Sequence, residues 1–176
     1  MPRLNLNSHI EPGVAAAGFR IGETIESFAD FDVRVVKDYP GLNHIQTIRE
    51  NVGFLSIDAS SSPRRFPDNR DTVIYYGPDT VRLVFTKMGV LGCIYLFAGY
   101  HGTYLGAAIG SPLAAISSLE LLEFDDGDEM YYRSGLDGDY LPGLAIIAEE
   151  VGPEEHEKSE VLGFCVHDWT LFRNGG

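Results

Sequence analysis

The sequence predicts an α+β protein: a mostly antiparallel β-sheet with two short helices, pseudo-duplicated around a Gly-x-x-Ile-Gly turn-helix motif. Three observations predict it. Residues 18–28, GFRIGETIESF, and residues 106–116, GAAIGSPLAAI, share Gly-x-x-Ile-Gly followed by apolar residues at helical spacing, half the 176-residue chain apart. Short segments rich in β-branched and aromatic residues lie between and after them. Hydrophobic residues make up 44% of the chain, enough to bury a core, which excludes a disordered chain.

The elements follow in order. In the first copy of the motif, glycine sets a turn and Ile25, Phe28 and Phe31 form one face of a short helix. VRVVK and NVGFLSID then read as strands, and residues 60–69, SSSPRRFPDN, as a loop with a local basic spot. DTVIYY, VRLVFTK and VLGCIYLFA carry the strongest β pattern, with Met88 and Gly89 marking a tight hairpin. In the second copy Ser111 suits an N-cap and Pro112 the first helical position, ahead of a stripe at Leu113, Ile116, Leu119 and Leu122. DEMYYRS and LPGLAIIA read as strands, EEVGPEEHEKSE as an acidic loop or short helix, and EVLGFCVHDW as a final strand with Leu162, Phe164 and Val166 alternating. The length suits a single domain, residues 1–176, and the repeat divides it into halves of about 14–88 and about 89–176.

Charge narrows the function classes. The net charge is -13, which argues against a general nucleic-acid binder, because phosphates must be met by lysine and arginine. Residues 1–112 hold 11 acids and 10 bases, whereas residues 113–176 hold 15 acids and 3 bases. That imbalance reads either as a solvated acidic face or as a surface for a basic protein. Residues 90–119 contain no Asp, Glu, Lys or Arg and are long enough to cross a bilayer, but their glycines, Pro112, His101 and tyrosines are turn chemistry. With only Cys93 and Cys165 and no apolar leader at the N-terminus, a reduced, cytoplasmic protein is expected.

Motifs for catalysis or cofactors do not assemble. GYHGTYLG lacks the Gly-Lys-Ser/Thr ending of a phosphate loop, and DDGDEM departs from calcium-loop spacing after Asp128. The histidines show no zinc spacing. Cys165 and His167 share a strand face, but neighbours at i and i+2 stand roughly 6–7 Å apart, so the expectation is a buried cysteine beside a surface histidine. No catalytic set, metal or cofactor is expected. Recognition chemistry remains. Glu123, Asp125, Asp126, Asp128, Glu129, Tyr131, Tyr132, Asp137, Asp139 and Tyr140 interleave carboxylates with tyrosines, as a partner-binding surface does and as an ordinary polar hairpin also can.

The hairpin VRLVFTKMGVLGCIYL, then GYHGTYLGAAIGSPLAAI, then an acidic hairpin and LPGLAI together resemble the immunity proteins that accompany bacterial polymorphic toxins. The resemblance covers roughly residues 80–147, with an echo at 18–31, and rests on glycine and apolar spacing. It implies a small cytoplasmic α+β protein that is not an enzyme and that binds and neutralises a cognate toxin domain, such as a nuclease with a basic groove. It transfers no binding residues. The alternative is a small-molecule-binding or enzymatic domain with a pocket between the two halves, lined by polar residues such as His101 and Tyr104.

Overall fold

A computed structural model describes residues 2–38, 42–58 and 72–173. The predicted basic loop at 60–69 lies outside the described residues. Among those residues the chain is α+β. A hairpin of β1 (Ala15–Ala16) and β2 (Phe19–Arg20) leads into a 3-10 helix, Ile25–Phe28. Next come β3 (Val33–Lys37), α1 (His44–Arg49), β4 (Phe54–Asp58), β5 (Thr72–Tyr76), β6 (Val81–Phe85) and β7 (Leu91–Leu96). The second half adds α2 (Ala114–Ser117), β8 (Leu122–Asp125), β9 (Met130–Ser134), β10 (Tyr140–Ile147), a 3-10 turn at Pro153–Glu155, β11 (Gly163–His167) and α3 (Thr170–Arg173).

Nine of these strands form one sheet, in the order β3-β4-β5-β6-β7-β11-β10-β9-β8. All pairs are antiparallel except β3 with β4, which run parallel and are joined through α1. A parallel pair needs a crossover, and α1 supplies it. The helices differ from the expected pair: the first motif closes into a 3-10 helix, and α1 and α3 were not expected. The second helix is also shorter than its leucine stripe suggested. It ends at Ser117, leaving Leu119 64% exposed, and Leu122 opens β8. Ser111 does not cap this helix; its hydroxyl accepts from the Ala108 amide at 2.9 Å.

The repeated motif has nearly the same backbone in both copies. Ala17 and Gly18 have φ of 53° and 83°, and Leu105 and Gly106 have 50° and 84°. Two successive positive φ angles make the tight turn whose twist matches paired strands. Gly22 and Gly110 follow with 88° and 86°. Each motif then clamps a central strand. Gly22 N donates to Leu91 O, Leu91 N to Glu23 O and Ile25 N to Gly89 O; 88 residues on, Gly110 N donates to Val161 O, Val161 N to Ser111 O and Leu113 N to Ser159 O. The first clamp grips the start of β7 and the second the residues leading into β11, and these two strands pair with each other at the middle of the sheet.

The sheet has two unlike faces. One packs Phe85, Ile94, Leu144, Ile146, Phe164 and Val166 against Phe19, Phe28, Leu113 and Ile116 from the turns and short helices, and this is the main core. Phe28 stacks on Phe19 at 5.3 Å and meets Phe85 edge-on at 5.2 Å. Burying rings such as these stabilises the fold through the apolar area removed from water. The other face carries a smaller cluster of Cys93, Tyr132, Ala145 and Cys165, over which Trp169 and Phe172 of the C-terminal segment fold. No helix among the described residues is long and apolar enough to cross a membrane.

Candidate functional site

Strand alternation sorts the acidic hairpin. Leu122 and Phe124 of β8 and Tyr131 of β9 pack toward the main core, so Glu123, Asp125, Met130 and Tyr132 project to the second face. The turn between β8 and β9 is held by Asp125, whose Oδ1 accepts from the Gly127 amide at 2.9 Å and the Asp128 amide at 3.0 Å. That is the side-chain turn expected of aspartate, and it presents Asp126, Asp128 and Glu129 to solvent.

The register of β10 is interrupted between Tyr140 and Ala145, where Leu141, Pro142 and Gly143 bulge. Bulges redirect side chains. Here Tyr140 stacks on Tyr132 at 5.1 Å and 15°. Gly143, at a φ of 100°, also lets the N-terminal loop cross the bulge, with Gly13 N donating to Gly143 O at 2.8 Å.

Between the bulge, the acidic turn and the C-terminal segment lies an open cleft of about 720 Å³. Asp125, Asp128, Tyr132 and Tyr140 line it, joined by Pro12, Gly13, His167, Asp168, Trp169 and Arg173. Tyr132 Oη donates to Asp128 Oδ2 at 2.6 Å. Burial, then this hydrogen bond, raises the Tyr132 phenol well above its usual range. Loss of hydration and the carboxylates of Asp125, Glu123 and Asp126 raise that of Tyr140 as well.

His167 forms the inner wall. Its ring stacks on Trp169 at 4.3 Å and 17° and meets Tyr132 edge-on at 6.0 Å. It is 2% exposed, and neither ring nitrogen has a partner among the described residues. Burial pushes the imidazole down to about 4, although Asp168 and Asp128 pull it upward. At neutral pH the ring is therefore uncharged, with one nitrogen able to donate and the other able to accept. The chain matches no family model, no curated protein and no solved structure.

The other predicted residues lie elsewhere. Tyr131 is spent on structure: its hydroxyl donates to Val151 O at 3.1 Å and accepts from Val151 N at 2.8 Å. Asp137 and Asp139 are exposed in the β9–β10 turn, where Asp137 Oδ1 accepts from the Asp139 amide at 3.4 Å. Tyr104 is buried, its hydroxyl donating to Glu120 at 2.7 Å beside the Glu120–Arg133 ion pair, and His101 is exposed; neither lines the cleft.

Cys165 and His167 share a face as expected, but His167 is buried, not on the surface. The thiol's neighbour is Cys93, with the two sulfurs 3.1 Å apart. Burial, then the Cys93 thiol, pushes the Cys165 thiol upward, away from the thiolate a nucleophile needs. Among the described residues no group of three His, Cys, Asp or Glu side chains could hold a metal ion.

Sequence reasoning missed Trp169, Arg173 and the role of His167. Cys165, His167 and Trp169 alternate in CVHDW, and that alternation, which puts them on one strand face, was the available signal.

The buried imidazole has a measurable consequence. The unfolded chain takes up a proton on His167 below about pH 6.5, which the folded chain resists until about pH 4. Stability is therefore lost as pH falls through this window and loses nothing more from this group below it. The loss from His167 is on the order of 2 kcal/mol, discounted because the ring borders an open cleft. Urea midpoints at pH 7.5 and 4.5 should drop further for the native chain than for His167→Gln. Equal drops would mean the imidazole is not held neutral.

Proposed function

We propose that the chain is an immunity-type protein of the bacterial cytoplasm that binds a basic toxin domain and blocks its active site. One observation carries the reading: Asp125 and Asp128 of the acidic turn line a cleft walled by Tyr132, Tyr140, His167 and Trp169, with Asp126 and Glu129 exposed on the same turn. Carboxylates steer a cationic surface into encounter, while rigid aromatic walls supply contact area once it has docked. The charge imbalance works the same way, because most of the excess acid lies in residues 113–176, which contain the hairpin. A nuclease domain fits such a surface, since its substrate groove must be basic.

Binding alone suffices for this function, and no bond is made or broken. Co-expression with the protein encoded immediately upstream tests it. The expected result is relief of that protein's toxicity together with co-purification. A neighbour that is neither toxic nor bound would overturn the proposal.

A second reading has one observation in its favour. A buried histidine without a hydrogen-bond partner among the described residues, in a cleft of the size that holds small ligands, suits a small-molecule site. Thermal stabilisation by a low-molecular-weight metabolite, with no effect from any basic protein, would select it.

A further inference from the structure

The first half of the sheet carries its own filled version of this cleft. On the same face, Tyr75, Arg82 and Tyr95 stand side by side across β5, β6 and β7. The Arg82 guanidinium carbon lies 5.6 Å from the ring centre of Tyr75, 5.3 Å from Tyr95 and 5.2 Å from Phe97. Its Nε and Nη2 both donate to the Asp79 carboxylate. This is a flat cation laid on aromatic rings and held in plane by a two-pronged carboxylate.

The motif clamps identify the matching row in the second half. They equate Leu91 with Val161, and hence Tyr95 with Cys165, one per central strand. The row through Cys165 is Tyr132, Ala145 and Cys165 across β9, β10 and β11. Tyr132 thus takes the place of Tyr75, and Ala145 that of Arg82. Ala145 is buried in one cluster with Tyr132, with Trp169 packed against it, and the cleft that Tyr132 and Trp169 also line supplies rings and a carboxylate again, from Tyr132, Tyr140, His167, Trp169 and Asp128. The row itself carries no cation, because alanine stands where arginine does in the other half.

We propose that this cleft receives a guanidinium group from outside, the side chain of an arginine on the basic partner. The inference rests on the reading above and names the anchor residue of that partner. Chemistry favours arginine over lysine. Stacked walls offer flat faces, and the acceptors are spread in space: the second oxygen of Asp128 and one nitrogen of His167. A planar group with five N–H donors can serve flat walls and separated acceptors together, whereas a compact ammonium with three donors cannot. The cleft exceeds what one side chain fills, so the backbone around the arginine enters with it. Arg173 lines the same cleft from the end of α3 and opposes an incoming cation.

Fluorescence of Trp169, the chain's one tryptophan, reads the cleft directly. The full chain is titrated with N-acetyl-arginine amide and N-acetyl-lysine amide at matched ionic strength. The expected result is saturable binding of the arginine compound at about millimolar affinity, about tenfold tighter than the lysine compound. Asp128→Asn should weaken it about tenfold, and Arg173→Ala should tighten it. Ala145→Arg, which restores the pattern of the first half, should abolish it; Asp128→Asn, at an exposed position, keeps the test decisive if that variant does not fold. Equal response to both amides, no saturation, or indifference to Asp128→Asn would overturn the proposal. Arginine binding without neutralisation of the upstream-encoded protein would overturn only the functional reading. Neutralisation that survives Asp128→Asn, with no arginine binding, would overturn only this inference.

Discussion

Replacing Asp126, Asp128 and Glu129 by lysine and Asp125 by asparagine slows capture of the basic partner by about a hundredfold or more at low ionic strength. Asp125 is changed to asparagine because its Oδ1 caps the hairpin turn through two amides, and asparagine keeps that oxygen while losing the charge. Asp126, Asp128 and Glu129 are exposed, so folding should be undisturbed. Asp128 also accepts from the Tyr132 hydroxyl at 2.6 Å, so its loss frees the ring that forms the cleft wall. The effect therefore has two parts: slower encounter, which high salt masks, and faster dissociation, which high salt does not. Stopped-flow association across a salt series, with circular dichroism to check the fold, separates them. Unchanged rates at every salt concentration would place the partner on another face.

Gly143→Val is expected to cost about 3 kcal/mol or more and to open the cleft at the same time. At a φ of 100° a β-branched residue is strained before any contact is considered. A Cβ at this position would also lie 2.6 Å from the Gly13 amide nitrogen, which is backbone and cannot swing aside. The N-terminal loop must then leave β10, with the loss of the hydrogen bond from Gly13 N to Gly143 O. Pro12 and Gly13 line the cleft, so their departure removes part of its wall. Urea denaturation should show a lower midpoint, and Trp169 emission should shift to the red as water reaches the indole. A valine variant with native stability and native emission would contradict this account of the bulge.

The architecture was largely legible because its signals are local. Positive φ angles favour glycine, so Gly18 and Gly22, matched by Gly106 and Gly110, made the repeated turn readable as Gly-x-x-Ile-Gly, whereas the positive φ of Ala17 and Leu105 leaves no mark in residue type. Strands such as VRVVK and VRLVF were legible from their β-branched residues. The parallel pairing of β3 with β4 was not, since residue type does not encode strand direction. The second helix was over-extended because Leu119 and Leu122 continue its spacing, while the chain turns after Ser118 and commits Glu120 to Tyr104 and Arg133.

The cleft was half legible for the same reason. Its acidic side is contiguous in sequence, so Asp125, Asp128, Tyr132 and Tyr140 were named together. Period-two alternation could also have separated Tyr131, which faces the core, from Tyr132, which does not. The opposite wall depends on long-range order. His167 and Trp169 reach Tyr132 because β11 pairs with β10 and β10 with β9, and Gly13 reaches Gly143 across most of the chain. No local pattern carries that information.

Amide hydrogen exchange of the chain, free and bound to the protein encoded immediately upstream, locates the docking face most directly. Protection is expected at residues 125–132 and at 167–172, the two walls of the cleft, with little change along β3 and β4 at the far edge of the sheet. Protection along β3 and β4, with the acidic turn and the Trp169 segment exchanging as they do in the free chain, would contradict the assignment of the cleft as the binding site.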